Sequence, residues 1–459
     1  MSNSTFKVVS PVDGSTYVTR PYAGAEIAPT ISAARAAVAT WRRVPIAERI
    51  AVVAAFGAEM KRRADQLADA TTWQIGRPRW QADETGRLAL VGDVLAKSAA
   101  DALSDRSFES DDNISRFTRA VPGGLHLSIC AWNYPTAMLG YLVSQPLLSG
   151  NVVILKHSPQ TPVIAEIAVE AWEAAGGPKG VFQALHLSHA DAERLISAGT
   201  FDAVNFIGSV AGGKKVHAAA GGTLTQVHLE LGGKDPAYIR ADADIDALAA
   251  DMAEGCFSNA GQSCCSVERI YVDRAVLDRF CEALAEEARK WTLGHPFKDK
   301  AMLGPVVNVG AADRIRGQVA QAVADGARVI AGDGAGTDTA YVPAQVLVDV
   351  DHSMSIMRDE LFGPVACIQG VGSDAEAIAL MNDSTFGLTA SIWTQDIEKG
   401  LQLLDKVEAG TVYLNRCDHA DLYLPWGGIK DSGIGRTNGR VGLIETTSPK
   451  AFHIRQKIA

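Results

Sequence analysis

The sequence has no long hydrophobic run: nowhere do about 18 uncharged apolar residues, the length of a membrane-spanning helix, follow one another. The N-terminal residues also lack the cationic start and apolar segment of a secretory signal. From these two absences we expect neither secretion nor membrane insertion, and hence a cytoplasmic location.

Positive charge is in deficit and is not concentrated anywhere in the chain. The 43 Lys and Arg residues stand against 53 Asp and Glu residues, which gives a formal net charge of −10. Binding to nucleic acid or to anionic lipid requires a concentrated basic surface. We therefore predict no nucleic-acid or membrane partner, and we expect the partner to be a small molecule.

Cysteine is scarce, and its spacing suggests neither a disulfide framework nor a metal site. The 459 residues include an odd number of cysteines, seven in all: Cys130, Cys256, Cys264, Cys265, Cys281, Cys367 and Cys417. In a chain of this size such usage is typical of a reducing compartment. No Cys-x-x-Cys pair accompanies nearby histidines, so we predict no metal site.

Two further signals are missing, an internal repeat and the GxGxxG fingerprint of dinucleotide binding. The segment Gly332–Gly336 (GDGAG) resembles that fingerprint but opens no helical pattern, so we interpret it as a surface turn. The composition is that of a globular protein, with 47% hydrophobic and 21% charged residues. Because 459 residues exceed what one core usually serves, two or three packed units are expected.

A helical pattern begins just after Pro45. Apolar residues recur there at steps of three and four: Ile50, Val53, Phe56, Met60, Ala64 and Leu67. This spacing places them on one face of a helix. We predict a single amphipathic helix that packs on the core.

From about residue 123 the pattern changes to short apolar runs that alternate with helical stretches. The first series of predicted strands is GGLHLSIC, NVVILK, VFQALHL, AVNFIGS and QVHLELGG. A second series follows Cys264: ERIYVD, ARVIAG, VPAQVLVDV, GPVACIQG, TASIWT and TVYLN. Such alternation is typical of parallel sheets covered by helices on both faces. We therefore predict two α/β units that join near residues 232–235.

Three short stretches carry residue types that perform chemistry in enzymes. Cys264 and Cys265 follow a small polar turn, although a cysteine there is by itself more often structural. Glu230 closes one apolar strand, and Asn133 follows another. Ligand clefts form at the carboxyl ends of parallel strands, and an amide N–H can stabilise an oxyanion. The three stretches are therefore candidates for one site.

Eight motifs resemble those of the aldehyde dehydrogenase superfamily and occur in that family's order between about residues 121 and 437. They are WNYP, GNVVILK, FIGS, ELGGKDP, NAGQSC, ELFGPV, NDSTFGL and PWGGIKDSGIGR. The resemblance implies an NAD(P)-dependent oxidation of an aldehyde to a carboxylic acid. It also implies an α/β fold of two doubly wound parallel-sheet domains and a small bridging β element.

The resemblance implies a catalytic role for each of three residues. Cys264 matches the nucleophile, which forms a thiohemiacetal and then a thioester. Asn133 matches the amide that holds the oxyanion together with the backbone N–H of Cys264. Glu230 matches the general base that activates the water which hydrolyses the thioester.

The cofactor residues implied by the resemblance lie along both predicted units: Trp132, Lys156, Gly208, Ser209, Leu231, Glu360 and Phe362. Two departures accompany them. Pro159 stands where many NAD-preferring members carry a glutamate that binds the ribose hydroxyls, so NADP is possible beside NAD. Cys130-Ala131 precedes Trp132 where a proline commonly stands, which should alter the stiffness of the loop more than its chemistry.

The residues that match the family's substrate tunnel are mainly apolar and aromatic: Tyr134, Met138, Tyr141, Ser263, Cys265, Tyr423 and Trp426. This lining favours an aliphatic or aromatic aldehyde. Arg416 and His419 are near in sequence and suit the alternative, a carboxylated semialdehyde such as succinate semialdehyde. The sequence leaves both substrates open.

The family's domain plan gives the expected limits of each unit in this chain. Residues 1–103 and 123–232 are assigned to the NAD(P)-binding domain and 233–446 to the catalytic domain. Residues 104–122 and 447–459 are assigned to an oligomerisation element, because an exposed edge strand invites pairing with another subunit. We expect a homodimer or a homotetramer.

Two rival functions remain open from the sequence. A CoA-acylating aldehyde dehydrogenase keeps the cysteine but passes the acyl group to CoA, and Glu230 argues against it because a hydrolytic base competes with CoA. A catalytically silent scaffold of the same fold would be expected to lose the nucleophile, the base or the amide. All three are present as Cys264, Glu230 and Asn133.

Overall fold

The computed structural model describes residues 4–332 and 339–457. The strands are β1 (Thr5–Val9), β2 (Thr16–Pro21), β3 (Arg106–Ser107), β4 (Ile114–Pro122), β5 (Leu125–Ile129), β6 (Val152–Lys156), β7 (Phe182–Ala184), β8 (Ala203–Ile207), β9 (Gln226–Glu230), β10 (Asp235–Ile239), β11 (Val267–Asp273), β12 (Arg328–Ala331), β13 (Gln345–Val348), β14 (Val365–Val371), β15 (Thr389–Trp393), β16 (Thr411–Leu414), β17 (Gly433–Ile434) and β18 (Thr447–Arg455). The helices are α1 (Ile27–Trp41), α2 (Ile46–Arg62), α3 (Ala64–Ile75), α4 (Thr85–Ala102), α5 (Gln145–Leu148), α6 (Pro162–Ala174), α7 (His189–Ser197), α8 (Val210–Ala220), α9 (Ile245–Phe257), α10 (Leu277–Lys290), α11 (Val309–Ala324), α12 (Ser355–Arg358), α13 (Asp374–Asn382), α14 (Ile397–Leu404) and α15 (Gly439–Glu445).

The first sheet has the strand order β17-β9-β8-β5-β6-β7. Strands β5 to β9 are parallel, and β5 and β6 are buried along their whole length, as their continuous apolar runs predict. The short β17 lies antiparallel to β9, with Gly433 opposite Glu230. The carboxyl ends of β5, β6, β8 and β9 meet at one edge, where a cleft is expected.

The second sheet has the order β12-β13-β14-β11-β10-β15-β16, and only the β12–β13 pair is antiparallel among its described strands. Each sheet has its own large cluster of buried apolar side chains, supplied by the strands and the helices that cover them. The prediction of an α/β fold with two parallel-rich sheets is therefore confirmed.

The predicted single helix after Pro45 is wrong, because the structure has two helices in its place. Helix α2 ends at Arg62 and α3 begins at Ala64, with Arg63 at φ −99° and ψ 15° between them. The apolar spacing continues across the break because Met60 and Leu67 are both buried in the same core. Periodicity alone does not show such a break.

A third, antiparallel sheet has the order β18-β4-β3, with β18 paired to β4 over nine residues from Thr447 to Arg455. These strands fall within the segments assigned to the oligomerisation element, whose role in assembly stays a prediction. The domain limits stay a prediction too, and β17 joins the first sheet although it was assigned to the catalytic unit.

Two other expectations concern the predicted surface turn and the absence of a membrane-spanning helix. Of the predicted turn Gly332–Gly336, all but Gly332 lies outside the described residues. Within the parts of the chain that the structure describes, no helix has the length and apolar character needed to cross a membrane.

Candidate active site

The structure brings Cys264 and Glu230 together from separate parts of the chain. Glu230 is the last residue of β9, and Cys264 lies in the loop between α9 and β11. The Sγ atom of Cys264 donates a hydrogen bond to Oε1 of Glu230 at 3.3 Å. A nucleophile within hydrogen-bond reach of a base is the arrangement required for an activated thiol.

The loop before Cys264 has a constrained backbone. Asn259 and Ala260 have φ values of 51° and 57°, in the left-handed region that non-glycine residues rarely adopt. At Gly261, φ is 66° and an added Cβ would lie 2.1 Å from the carbonyl oxygen of Gly363, so glycine is required there. These restraints fix the position of the cysteine that follows.

Asn133 is tied into the same loop by hydrogen bonds. Its Nδ2 donates to the carbonyl oxygen of Gln262 at 3.1 Å, and its own carbonyl oxygen accepts from Nδ2 of Asn259 at 2.9 Å. An amide nitrogen carries two hydrogens. One N–H therefore orients the Asn133 side chain, and the second can donate to an oxyanion formed at Cys264.

The electrostatics keep the resting proton on the cysteine and make the adjacent glutamate a stronger base. Burial raises the pKa of Glu230, although hydrogen bonds from Trp426 and Cys264 oppose the shift. The pKa of the Cys264 thiol is raised well above its usual value, first by its hydrogen bond with Cys265, then by burial and the nearby Glu230. The resting thiol is thus protonated at neutral pH, and a carboxylate of increased basicity lies beside it.

A cleft of about 270 Å³ adjoins this pair. Six of the predicted cofactor residues line it, together with the three predicted catalytic residues and four others: Ala131, Trp132, Asn133, Ile207, Gly208, Ser209, Glu230, Leu231, Gly232, Cys264, Arg314, Glu360 and Phe362. The rings of Trp132 and Phe362 meet edge to face, with centroids 5.6 Å apart. Leu231 packs closely on α8, since a Cβ at Gly213 would lie 2.4 Å from its side chain.

Two ends of this cleft suit a dinucleotide. Helix α8 starts directly after Ser209, whose hydroxyl accepts a hydrogen bond from the N–H of Gly212 at 3.2 Å. The N-terminus of a helix attracts phosphate groups. At the other end Oε1 of Glu360 accepts from the N–H of Gly233 at 3.2 Å. The pKa of Glu360 is raised to about 7 by burial and next by Glu268. A carboxylate held in this way can accept hydrogen bonds from ribose hydroxyls.

Lys156 ends β6 and does not line the cleft itself, but it supplies charge close by. Its side chain is buried, and burial lowers the pKa to about 8. The pKa of His189 is lowered as well, first by the Lys156 ammonium, then by burial and by Lys215. Three basic groups therefore lie near one another, and one of them, Lys215, is on α8, so the residues present fit a phosphorylated adenosine.

The family model of the aldehyde dehydrogenases matches residues 1–452 of the chain. The chain belongs to the aldehyde dehydrogenase family. The predictions of family and of an NAD(P)-dependent aldehyde dehydrogenase are thereby confirmed.

Aldehyde dehydrogenases named for different substrates and cofactors are similar to this chain over almost its full length. Betaine aldehyde dehydrogenase of Sinorhizobium fredii is 32% identical over 435 residues, which cover 92% of this chain and 88% of that protein. Succinate-semialdehyde dehydrogenase, NADP(+) form, of Deinococcus radiodurans is 32% identical over 462 residues, which cover 99% and 96%. The crystal structure of Staphylococcus aureus betaine aldehyde dehydrogenase with NAD+ is 28% identical, has a TM-score of 0.93 and covers 99% of this chain and 92% of that chain.

The residues predicted for the substrate side of this aldehyde dehydrogenase are not all in one place. Cys265 and Trp426 form a small buried cluster with Leu388 and Tyr413, against which Cys264 packs. Met138 and Tyr141 are buried in the neighbouring core. Tyr134 lies under the guanidinium of Arg77, 5.0 Å from the ring centroid, and is hydrogen-bonded to Ser263.

Tyr423 departs from the prediction because its side chain is 64% exposed, whereas Trp426 is 4% exposed. Leu424, the next residue in the chain, is also an exposed apolar residue. An accessible ring of this kind does not form a wall of a buried tunnel in one subunit. The sequence placed Tyr423 by alignment alone, which gives no direction for a side chain on a loop.

Sequence reasoning missed a buried ion pair that shapes the cofactor side. Nζ of Lys234 lies 2.7 Å from Oε2 of Glu268, and both side chains are almost completely buried. Glu268 also accepts from the N–H groups of Leu361 and Phe362 at 2.9 and 2.8 Å. Phe362 has φ 52°, so the carboxylate holds the loop in a left-handed conformation that a phenylalanine rarely adopts.

Asp418 and Arg87 were missed as well. Asp418 accepts from the hydroxyl of Ser263 at 3.1 Å and from the thiol of Cys265 at 2.9 Å. Arg87 donates to the hydroxyl of Tyr141 at 3.1 Å. The sequence offers little to indicate that these two residues belong to the site, because each is a single charged residue beside a motif.

Among the described residues, no group of three or more His, Cys, Asp or Glu side chains is arranged to hold a metal ion.

Proposed function

We propose that this enzyme oxidises an aldehyde to the free carboxylic acid, with Cys264 as nucleophile, Glu230 as general base and Asn133 as oxyanion donor. The observation that carries the proposal is the 3.3 Å contact between the Cys264 thiol and the Glu230 carboxylate. Glu230 also lines the cleft that suits a dinucleotide. We assign to this one carboxylate both the deprotonation of Cys264 and the activation of the water that hydrolyses the thioester.

In the first half of the reaction Glu230 takes the proton of the Cys264 thiol, and the thiolate adds to the aldehyde carbon. The oxyanion that forms accepts hydrogen bonds from Nδ2 of Asn133 and from the backbone N–H of Cys264. When the oxyanion collapses, the carbon loses hydride and becomes a thioester on Cys264. The nicotinamide, when bound, supplies the acceptor for that hydride.

Glu230 then releases the thiol proton to solvent. In the second half it accepts a proton from water, which attacks the thioester carbon. The bond from carbon to Cys264 Sγ breaks, the thiolate leaves and regains a proton, and the acid is released. The raised pKa of Glu230 suits this role because a stronger base removes the water proton more readily. The hydrogen bond from Trp426 fixes the direction of the carboxylate.

Hydrolysis distinguishes this proposal from a CoA-acylating enzyme. We expect purified enzyme with an aldehyde and NAD(P)+ to form carboxylic acid and NAD(P)H in equal amounts without CoA. Addition of CoA should change neither rate nor product, as measured by NAD(P)H absorbance and chromatography of the acyl product. Formation of acyl-CoA in place of free acid would contradict the proposed role of Glu230.

For the cofactor we propose NAD+, with NADP+ also accepted. Pro159, three residues after Lys156, carries no charge, so a 2′-phosphate meets no carboxylate at this position. Lys156 and Lys215 both lie close enough to His189 to lower its pKa, so basic groups gather near Lys156. A phosphate near two ammonium groups is favoured by charge-assisted hydrogen bonds.

The variant Pro159→Glu should shift this preference towards NAD+. A new carboxylate repels a 2′-phosphate and can accept hydrogen bonds from the ribose hydroxyls. Repulsion of about 1.4 kcal/mol corresponds to a tenfold change, so kcat/KM for NADP+ should fall about tenfold relative to NAD+. The ratio is measured with one aldehyde and both cofactors.

The matched control for that experiment is Pro159→Gln, which has the same shape without the charge. It should leave the NADP+/NAD+ ratio within about twofold of wild type, since no Coulomb interaction is added. Equal ratios for the two variants would contradict an electrostatic origin of the preference.

The substrate proposed from the surroundings of Cys264 has an apolar body next to the aldehyde carbon. Cys265, Leu388, Tyr413 and Trp426 form the buried cluster against which the nucleophile packs. An aliphatic or aromatic chain fits such surroundings.

For assembly we propose a homodimer or a homotetramer held together through β18, whose outer edge has no partner strand among the described residues.

A further inference from the structure

A strongly basic pocket lies outside the candidate active site, between the loop that joins α1 to α2 and the end of β4. Its volume is about 370 Å³, and four arginines line it: Arg42, Arg43, Arg49 and Arg119. This arginine pocket shares no lining residue with the cofactor cleft. The proposed oxidation of an aldehyde gives these four side chains no role.

Arg49 is the buried member of the arginine pocket. It lies in the first turn of α2, and only 8% of the residue is exposed. Its Nε atom is buried without a hydrogen-bond partner, and its guanidinium forms no ion pair within residues 4–332 and 339–457. Arginine remains charged in proteins, so a buried guanidinium without a counter-ion costs free energy.

The surroundings of Arg49 supply shape but no negative charge. Gly150 has φ 88°, and an added Cβ there would lie 1.9 Å from Nη1 of Arg49, so the guanidinium packs directly on this turn. The pKa of Arg49 is lowered by burial, and no acid opposes the shift. The guanidinium is therefore held in place while its charge stays uncompensated.

Of the other three arginines, only Arg119 has an acidic partner among the described residues. Its Nε and Nη2 donate to the two oxygens of Asp105 at 2.8 and 2.6 Å. Arg42 and Arg43 are exposed and form no ion pair in the part of the chain that the structure describes. Lys450 lies opposite Arg119 on β18 and adds a further positive charge.

The remaining acids of the surrounding elements do not balance this charge. Asp101, near the end of α4, is engaged by Arg440. Glu48 directly precedes Arg49 on α2, but it is exposed and does not contribute to the pKa of Arg49. A ligand in the arginine pocket must therefore bring negative charge with it.

We propose that the arginine pocket binds a phosphate group, with the buried Arg49 as its central contact. The oxygens of a phosphate accept charge-assisted hydrogen bonds, and the planar fork of arginine matches two of them at a time. Pockets for small molecules have volumes of about 300–1,000 Å³, so this one admits a phosphorylated compound as well as the free ion. Binding then joins the loop between α1 and α2 to β4, because the arginines come from both.

The test measures the binding of inorganic phosphate, pyrophosphate and glycerol 3-phosphate by titration calorimetry, with NAD+ at saturation to fill the cofactor cleft. Sodium chloride of equal ionic strength is the reference, because salt screens every exposed arginine alike. At least one of the three compounds should bind at about one per chain with a Kd below about 1 mM. Equal Kd values for inorganic phosphate and glycerol 3-phosphate identify the free ion as the ligand, and tighter binding of glycerol 3-phosphate identifies a phosphorylated compound.

The double variant Arg42→Gln/Arg43→Gln should weaken this binding at least about tenfold, because hydrogen bonds to a charged group are lost. Its matched control is Lys61→Gln/Arg62→Gln, which removes the same charge from the exposed C-terminal end of α2 and should leave the Kd within about twofold. Both variants should keep kcat and KM for an aldehyde within about twofold of wild type, because the arginine pocket is separate from the cofactor cleft.

Arg49→Met tests the buried charge itself. Methionine removes an unpaired charge at similar volume, so the Tm in phosphate-free buffer should equal or exceed that of wild type. Phosphate should raise the Tm of wild type, as a ligand of the folded state does, and should leave the Tm of Arg49→Met unchanged. A much lower Tm of Arg49→Met in phosphate-free buffer would show that the guanidinium has another partner and would contradict the proposal.

Two results of the titrations would overturn the site: no binding of any of the three compounds below about 10 mM, or the same Kd in wild type and Arg42→Gln/Arg43→Gln. A carboxylate of another subunit is the alternative occupant of the arginine pocket. In that case phosphate would not bind, and the mass of the assembly, measured by light scattering, would fall in Arg42→Gln/Arg43→Gln but not in the control variant.

Discussion

Cys264→Ala is expected to reduce aldehyde oxidation by at least about 10⁴-fold, because loss of a nucleophile removes the covalent route. Without the thiolate no thiohemiacetal forms, and an aldehyde has no oxyanion that can expel hydride. The cofactor cleft keeps its other lining residues, so the Kd for NAD+ should change by less than about threefold. Both quantities are measured on the same preparation, by steady-state absorbance and by fluorescence titration of NAD+.

Cys265 is not expected to replace the lost nucleophile. Its thiol donates to Asp418 at 2.9 Å and its side chain is buried with Leu388, Tyr413 and Trp426, whereas the Cys264 thiol reaches Glu230. Cys265→Ser keeps a donor of similar size, so its loss of activity should be less than about tenfold.

Cys281→Ala, on α10, provides the matched control for removal of a thiol remote from the site and should retain wild-type rates. Turnover of Cys264→Ala above about 1% of wild type would show that another group performs the attack.

The strands around the site could be predicted because their pattern is local. The run VVILK in β6 is apolar and buried at every position, as expected for a central parallel strand. The break between α2 and α3 at Arg63 could not be predicted in this way. Both helices pack on one core, so their apolar residues keep a common spacing through the break.

The residues proposed as catalytic stand in recognisable motifs, but the contacts that hold them could not be predicted. Glu230, Cys264 and Asn133 each follow or end a recognisable stretch. Lys234 and Glu268 also lie beside apolar strands, yet their pairing depends on how β10 and β11 align in the second sheet. The sequence signal of such a pair is charged residues at the start of apolar segments: Lys234 directly precedes β10, and Glu268 is the second residue of β11.

Strand β17 of the first sheet is another contact of the site that the sequence does not predict. It has two residues, Gly433 and Ile434, and neither the length nor the composition predicts a strand. Its pairing beside Glu230 comes from a distant part of the chain, and Ser432 donates to the carbonyl oxygen of Gly232 at 2.7 Å. This C-terminal segment therefore holds the end of β9, which carries the proposed general base Glu230, a contact that its position in the sequence does not indicate.

Glu230→Gln is expected to separate the two halves of the reaction. The first turnover should appear as a burst of about one NAD(P)H per active site, followed by a steady-state rate at least about 100-fold below wild type. Glutamine has nearly the same shape, but it cannot take a proton from the water that hydrolyses the thioester. A rapid-mixing record of NAD(P)H absorbance measures the burst and the later rate together.

The burst should survive because the substitution also changes the thiol. The pKa of Cys264 is raised first by its hydrogen bond with Cys265, then by burial and by the negative charge of Glu230, so removal of that charge should lower the pKa. At a given pH more thiolate is then present without help from a base. The burst rate of the variant should therefore rise with pH, while the steady-state rate stays low.

An external nucleophile provides the decisive control for this variant. Hydroxylamine attacks a thioester without needing a general base, so it should restore turnover in Glu230→Gln and yield a hydroxamate. Glu286→Gln, an exposed glutamate of α10, should show wild-type kinetics with and without hydroxylamine. An unchanged steady-state rate in Glu230→Gln would assign deacylation to another base. Absence of a burst would instead show that Glu230 is required already for attack by Cys264, and hydroxylamine would then restore nothing.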